Sequence, residues 1–320
     1  MDSRSKDLLL RLQDEDGWNR AGYCLQNRYA VKLTSYYAGL MGSSVGRDPI
    51  ALQSVPRLEE STSPGETDPL LELEYMPVDG LIHVYTNRAL LLVTERCFVN
   101  CRHCNRRWKR RVDGEVQDWK GALDRWADYI GSHPEIDDVL VTGGDPLTLG
   151  NGKLFELLAR LRSISHVGVV RVGSRAPVVM PARIDDELVA GLKENHPIFL
   201  HTQFNHPREC TMEAGVALER LADAGVNLGN QMVLLAGVND SVDAIAEVNR
   251  WLVRHRCRPY YLFVPEDVRG TGHFKVSLQR ARELEDSLRQ LLSGIAMPSV
   301  VVDMPDGGGK VPVWRADLSE

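Results

Sequence analysis

Cys97-Phe98-Val99-Asn100-Cys101-Arg102-His103-Cys104 is the most informative stretch of the sequence, because three cysteines lie within eight residues. Their C-x3-C-x2-C spacing can place three thiolates around one point in a compact loop, and no fourth cysteine lies nearby. The remaining cysteines, Cys24, Cys210 and Cys257, are scattered along the chain. We expect each of these to be a small buried apolar side chain.

Two kinds of metal site could use this loop. One is a zinc site with His103 as the fourth ligand, and the other is a [4Fe–4S] cluster with one iron left open. Structural zinc sites normally draw their ligands from two short pairs that lie far apart in the sequence, so a single tight loop is unusual for zinc. A cluster held at three corners keeps its fourth iron available for chemistry. The spacing therefore favours the cluster, with zinc as the alternative.

From about residue 88 onward, apolar runs alternate with amphipathic helical stretches. Alternation of this kind, with nearly continuous apolar strands, predicts an α/β fold with a parallel sheet covered on both faces, closed into a barrel or left as an open partial barrel. The predicted strands are Ala89–Val93, Asp138–Thr142, Val167–Val172, Pro197–Thr202, Asn227–Leu235, Tyr260–Val264 and Val300–Val302. The predicted helices include Trp119–Ser132, Gly152–Ser163, Asp185–Lys193, Ala214–Ala224 and Ser241–Arg254.

Polar and glycine-rich motifs recur at or near the carboxyl ends of these strands. In a barrel of parallel strands, that end carries the active site. The motifs, in chain order, are the cysteine loop, Gly143-Gly144-Asp145-Pro146, Gly173-Ser174-Arg175, Gln203-Phe204-Asn205-His206-Pro207, Gln231, Glu266-Asp267 and Asp303. We expect these groups to surround one site.

The composition excludes several classes of protein. Of the 320 residues, 43% are hydrophobic and 26% are charged, as in an ordinary globular protein, and the net charge is −6. An acidic balance argues against nucleic acid and anionic membranes as partners, despite the basic run Arg106–Arg111. No apolar run is long enough to span a bilayer, and the first residues lack the apolar core of a signal peptide, so we expect a cytoplasmic protein. We assign residues 1–80 to a helical and extended lead-in and residues 81–320 to the barrel.

Lys310 follows three glycines in Asp306-Gly307-Gly308-Gly309-Lys310-Val311. A phosphate-binding loop would need an earlier glycine and a Ser or Thr in place of Val311, so that interpretation fails. A lysine on a glycine hinge can instead form an imine with an aldehyde such as pyridoxal phosphate. The alternative is an ordinary exposed loop lysine.

The cysteine spacing resembles the radical S-adenosylmethionine (SAM) superfamily, and the motifs together closely resemble its lysine 2,3-aminomutase family. The resemblance extends from about Tyr29 to Val313. It implies a partial (β/α)6-type TIM barrel that uses a [4Fe–4S] cluster, SAM and pyridoxal phosphate to move an α-amino group to Cβ. It also implies an electron donor such as flavodoxin or ferredoxin, and it leaves open whether the chain forms a homo-oligomer.

The resemblance further implies a role for individual residues. Cys97, Cys101 and Cys104 match the cluster ligands, and Lys310 matches the lysine that holds pyridoxal phosphate. Arg106 matches the residue that binds the substrate carboxylate, and Glu266 and Asp303 match the positions that grip the distal ammonium of lysine. The other matching cofactor-binding positions are Tyr85, Arg88, Gly143, Gly144, Asp145, Ser174, Gln203 and Gln231.

The expected substrate is a basic amino acid, with L-lysine first. L-Arginine is the alternative, because Asp267 and Asp306 could add carboxylates for a guanidinium. Two further alternatives are the enzyme that makes β-lysine for elongation factor P and a metal-binding module without catalysis. The chain departs from the family pattern at Gln203, commonly His, at Glu266, usually Asp, and at Asp306, usually Gly. Ser241 stands where some members have a zinc-ligating cysteine, so we expect no structural zinc.

Overall fold

The structure, a computed structural model, describes residues 29, 31–42, 45–107, 116–305 and 307–316. Within them, nine strands form a single sheet whose spatial order follows the chain order. Seven strands, β2 to β8, are parallel, and the two outermost strands, β1 and β9, pair antiparallel with their neighbours. The strands are β1 Leu81–Tyr85, β2 Arg88–Leu92, β3 Asp138–Thr142, β4 Val169–Gly173, β5 Ile198–Thr202, β6 Asn227–Val233, β7 Cys257–Val264, β8 Ser299–Met304 and β9 Gly309–Pro312.

Helices connect the parallel strands and also precede the sheet. Each of the longer crossover helices has an apolar face that packs against the sheet, and several start at a side chain that caps the first turn, such as Asp118, Thr211 and Ser241. The helices are α1 Ser35–Gly39, α2 Pro49–Ser54, α3 Trp119–Gly131, α4 Asn151–Arg162, α5 Ala176–Val179, α6 Asp186–Glu194, α7 Met212–Asp223, α8 Val242–Arg254 and α9 Leu278–Leu291. In the described part of the chain, no helix is both long and apolar enough to cross a bilayer.

The sheet curls around one cavity but does not close. Every strand contributes at least one residue to the cavity wall. Lys310 on β9 lies with Nζ 5.8 Å from the centre of the Tyr85 ring on β1, so the two edges of the sheet approach each other without pairing. The predicted α/β fold with an open partial barrel is confirmed.

The parallel strands form because the residues that face the helices are apolar and buried. Val139 and Val141 of β3 are fully buried beneath the helices, while Leu140 between them lines the cavity. All seven predicted strands are present, with ends that differ by a few residues. The sequence pattern missed β1 and β9, because β9 contains glycine and proline and neither strand shows the long apolar run of a buried parallel strand.

Candidate active site

One cavity of about 400 Å³ collects the polar motifs from the strand ends. All fifteen residues expected to bind a cofactor, the cluster or the substrate line it. They are Tyr85, Arg88, Cys97, Cys101, Cys104, Arg106, Gly143, Gly144, Asp145, Ser174, Gln203, Gln231, Glu266, Asp303 and Lys310. Their roles remain predictions, but the fold brings them to one place.

The cysteine loop follows β2 and is held from both sides by buried arginines. Arg102, inside the loop, donates from Nε and Nη2 to the two carboxylate oxygens of Glu60 at 2.9 and 2.6 Å. Arg107, just after the loop, also contacts Glu60 and donates to the carbonyl of Arg102 at 2.7 Å. All three side chains are fully buried. The path of the loop is therefore fixed by a charged core rather than by the cysteines themselves.

A third buried arginine contacts a cysteine directly. Arg175, after β4, donates from Nη1 to Sγ of Cys101 at 2.8 Å and from Nη2 to Glu209 at 2.7 Å. Burial acts against its charge, yet the pKa of Arg175 is raised, because Cys101, Tyr37 and Glu209 stabilise the guanidinium. Arg175 therefore holds a positive charge next to Sγ of Cys101.

The donor set fits a [4Fe–4S] cluster better than a single ion. Cys97, Cys101 and Cys104 are not bonded in disulfides and line the same cavity. Across the residues that the structure covers, no three His, Cys, Asp or Glu side chains converge tightly enough to hold one metal ion. His103 directs its Nε2 to the side-chain amide of Gln203 at 2.9 Å.

The glycine turn after β3 lies against the chain that leads into the cysteine loop. A Cβ on Gly143, whose φ is +128°, would lie 2.3 Å from the carbonyl oxygen of Thr94, and a Cβ on Gly144 would lie 2.1 Å from that of Arg96. Close packing alone therefore requires both glycines. The same bare backbone lines the cavity, where it allows a ligand such as SAM to come close.

Asp145 connects this turn to the next strand end. Its carboxylate accepts from Ser174 Oγ at 2.7 Å and from the backbone N–H of Arg175 at 2.9 Å. Burial raises the pKa of Asp145, while these hydrogen bonds and Arg183 oppose the rise. Asp145 and Ser174 are thus hydrogen-bonded to each other. This bond links two strand ends that line the part of the cavity expected to bind SAM.

The side of the cavity assigned to pyridoxal phosphate contains cations with unused donors. The guanidinium of Arg88 lies 4.2 Å above the Tyr85 ring, and its Nε is buried without a partner among the described residues. Arg171 on β4 also lines the cavity and is held by Asp138 at 2.8 Å. An unpaired buried N–H is costly, so this wall suits an anionic group such as a phosphate.

Lys310 lies on the same side of the cavity. Its Nζ is 2.7 Å from Asp303 and 5.9 Å from the centre of the Phe263 ring. Gln231 contacts Nδ1 of His201 at 3.3 Å nearby. A lysine among aromatic rings is the kind of side-chain set that could hold pyridoxal phosphate.

The expected substrate contacts form two regions of opposite charge. Arg106 makes a bidentate salt bridge with Glu72. Glu266 is partly buried, and its pKa rises to about 7 because desolvation disfavours the charged form and Asp303 repels it, against the attraction of Lys310 and Arg106. The acidic region thus consists of two carboxylates close enough to interact.

The structure separates the other acidic residues from this pair. Asp267 is exposed and forms a salt bridge with Lys275 at 3.1 Å, outside the cavity wall. Asp306, on which part of the arginine alternative depended, lies outside the described residues, as do Cys24 and most of the basic run after Arg107.

Sequence reasoning missed several residues of the cavity. Glu72, Arg171 and His201 line it. Position on a strand could have indicated Arg171, which lies between the buried Val170 and Val172, and His201, which follows the buried Leu200. No pattern indicated Glu72, because it lies in the lead-in, where the sequence shows no periodicity.

The chain is similar in sequence to known radical SAM enzymes. The sequence model of the radical SAM superfamily matches residues 91–248. The L-lysine 2,3-aminomutase of Fusobacterium nucleatum is 45% identical to this chain, over 88% of the chain and 67% of its own length. The L-lysine 2,3-aminomutase of Acetoanaerobium sticklandii is 43% identical, over 96% of the chain and 74% of its own length. The glutamate 2,3-aminomutase of Clostridioides difficile is 39% identical over 98% of this chain and 73% of its own length.

A solved structure shares the fold. A radical SAM methyltransferase from Sphaerobacter thermophilus superposes with a TM-score of 0.51 at 18% identity, covering 71% of this chain and 69% of that one. At this identity the likeness concerns the fold alone.

Proposed function

The chain belongs to the lysine 2,3-aminomutase family of the radical SAM superfamily, and from this premise we propose that it moves the α-amino group of a basic amino acid, L-lysine first, to Cβ. Membership of the superfamily implies a [4Fe–4S] cluster and SAM. Pyridoxal phosphate and the identity of the substrate are part of the proposal.

Cys97, Cys101 and Cys104 would hold the cluster, and Lys310 would hold pyridoxal phosphate, with Arg88 near its phosphate. When bound, the cluster and SAM supply a radical that abstracts hydrogen, and pyridoxal phosphate supplies an aldehyde and a π system that spreads the unpaired electron. A small one-electron donor such as a flavodoxin or ferredoxin would reduce the cluster. The protein residues would orient the amino acid within the cavity.

The observation that carries the choice of substrate is the partly buried Glu266, whose pKa is raised in part by the neighbouring Asp303. Two carboxylates that interact in this way are unfavourable unless a cation lies between them. Lys310 supplies a cation to Asp303. With Lys310 holding pyridoxal phosphate, Asp303 would be available to an ammonium on the substrate.

The same pair argues against an acidic substrate. A glutamate side chain would bring a third carboxylate against Glu266 and Asp303, and like charges at close range repel. Arginine is less favoured than lysine, because Asp267, one of the two extra acids that could serve a guanidinium, lies outside the cavity. Arg106 would bind the carboxylate that every amino acid carries.

An anaerobic assay with dithionite, SAM and pyridoxal phosphate, offering each standard amino acid separately, tests the proposal. Mass spectrometry of the β-isomers should show turnover of lysine. Glu266→Gln should lower kcat/KM for lysine by about a hundredfold, whereas Asp267→Asn, the matched exposed control, should leave it unchanged. Turnover of glutamate or alanine, with neither lysine nor arginine accepted, would overturn the proposal. Preference for arginine would keep the reaction and change the substrate.

A further inference from the structure

Residues 66–75 form a strap that is fastened at both ends and lines the cavity from the side of the lead-in. Glu66 forms a parallel bridge with Val268, just after β7. At the other end, the carbonyl of Tyr75 accepts from the backbone N–H of His83 on β1 at 2.9 Å. With both ends tied to the sheet, the middle of the strap has a defined position.

The middle of the strap turns an acid inward and a leucine outward. Glu72 is buried, whereas Leu73 is 61% exposed, which reverses the usual preference of these side chains. The carboxylate of Asp68 fixes the turn by accepting from the backbone N–H groups of Glu72 and Leu73 at 3.0 and 2.9 Å. Leu71, directly before Glu72, has a φ of 54°, a conformation that leucine rarely adopts. Strain of this kind is retained where the orientation of the next residue matters.

The inward acid grips one edge of Arg106. Its Oε1 and Oε2 each accept from Nε of Arg106 at 3.0 Å, and Oε1 also accepts from Nη2 at 2.6 Å. Within the described residues, Nη1 of Arg106 has no hydrogen-bond partner. A guanidinium has five donors in a rigid fork, so an edge held by Glu72 leaves the Nη1 edge for a second carboxylate.

Without Glu72, Arg106 has another acid to turn to. Glu266 lines the same cavity as Arg106. Glu266 is the carboxylate that the proposed function assigns to the far end of the substrate. If Arg106 paired with Glu266, Arg106 would no longer be available to the substrate carboxylate. Glu266 would likewise no longer be available to the distal ammonium.

We propose that Glu72 is a positioning residue that holds Arg106 by its Nε edge, presents the other edge to the substrate carboxylate and keeps Arg106 away from Glu266. This inference rests on the proposed function. Glu72 does not compete with the substrate, because the two carboxylates use different edges of one guanidinium.

The kinetic test is Glu72→Gln, which keeps the shape of the side chain and removes its charge. KM for L-lysine should rise by about tenfold or more with kcat nearly unchanged, because orientation at the carboxylate end is lost while the reacting end is intact. The preference of the protein for lysine over lysine amide, which lacks the carboxylate, should shrink by a similar factor. Glu72→Asp should recover part of the loss, and Glu74→Gln, an exposed acid on the same strap, should change nothing.

Crystal structures of the wild type and Glu72→Gln provide a readout that needs no turnover. Arg106 should leave its position and approach Glu266 in the variant. An unchanged KM, or an Arg106 that stays in place, would overturn the inference, and a lower KM would show that Glu72 competes with the substrate. If Glu72→Gln does not fold, Glu72→Asp decides alone, with an intermediate KM expected. Wild-type protein that turns over no amino acid would instead refute the proposed function, leaving the movement of Arg106 to be scored separately.

Discussion

Nζ of Lys310 on β9 lies 2.7 Å from Oδ2 of Asp303, the residue that faces it in register on β8. The antiparallel pair places both side chains on the same face of the sheet, toward the cavity. The pairing of β8 with β9 therefore makes Lys310, proposed to hold the cofactor, and Asp303, proposed to bind the substrate, direct neighbours. A change at either residue should affect both binding steps.

Lys310→Ala should abolish the visible absorbance of bound pyridoxal phosphate and reduce aminomutase turnover by at least about a thousandfold, because the covalent attachment of the cofactor is lost. Absorption spectra after removal of free pyridoxal phosphate check this. The matched control is Lys275→Ala, an exposed lysine paired with Asp267. An unchanged spectrum in Lys310→Ala would assign the attachment to another residue.

Cys101→Ala should lose the cluster and all SAM cleavage, since two thiolates cannot hold an open cube. Iron analysis of anaerobically purified protein should give about four irons per chain for the wild type and close to none for the variant. Cys210→Ala, a free cysteine away from the loop, should retain the wild-type iron content. A Cys101 variant that still cleaved SAM would contradict the assignment.

Glu266 should make substrate binding depend on pH. Its pKa is about 7, against an ordinary 4.5, because of burial and the repulsion of Asp303. A cationic substrate requires the ionised form, so the apparent KM for lysine should fall by up to about tenfold per pH unit as pH rises to about 7, and then level off. In Glu266→Gln this slope should disappear, and the same slope in the variant would assign it to another group.

The same pKa has a consequence for stability. Between pH 4.5 and about 7 the folded chain binds a proton at Glu266 that the unfolded chain has released. The free energy of unfolding should therefore fall as pH rises through this window. Urea unfolding at several pH values should show a weaker decline for Glu266→Gln than for the wild type, and parallel declines would contradict the pKa.

Arg175→Met should be strongly destabilising, because it leaves Glu209 buried without its cation. The expected loss is about 3–5 kcal/mol in the free energy of unfolding, as for other broken buried pairs. Arg280→Gln breaks an exposed pair with Glu283, where solvent screens the charges, and should cost below about 0.5 kcal/mol. Denaturant titration of the two variants compares these effects, and a similar small loss in both would contradict the role given to Arg175.

Much of the fold and the location of the site could be predicted from the sequence, because both depend on local patterns. Apolar runs such as Asp138–Thr142 predicted the parallel strands, and the strand ends placed Cys97 and Glu266 at one edge of the sheet. The cysteine spacing and Lys310 were informative because few structures other than a cofactor site require them.

The pairing of buried charges around the site depends on contacts between distant segments of the chain. No local sequence pattern shows these contacts. Glu72 and Arg106 are 34 residues apart, and Arg175 and Gln53 are 122 apart, yet each pair forms a hydrogen bond. The partner of a buried charge is decided by packing. Sequence reasoning could therefore name Arg106 but could not say which acid holds it.

The charged core around the cysteine loop has a consequence for how this protein could be divided or recombined. Glu60, the only carboxylate that the described residues offer to both Arg102 and Arg107, comes from the lead-in rather than from the sheet. A fragment started after residue 80 would inherit two buried guanidinium groups and lose their counterion. A chimaera that joined this sheet to a foreign lead-in would need an acid at the same place. The two parts of the chain must therefore be transplanted together.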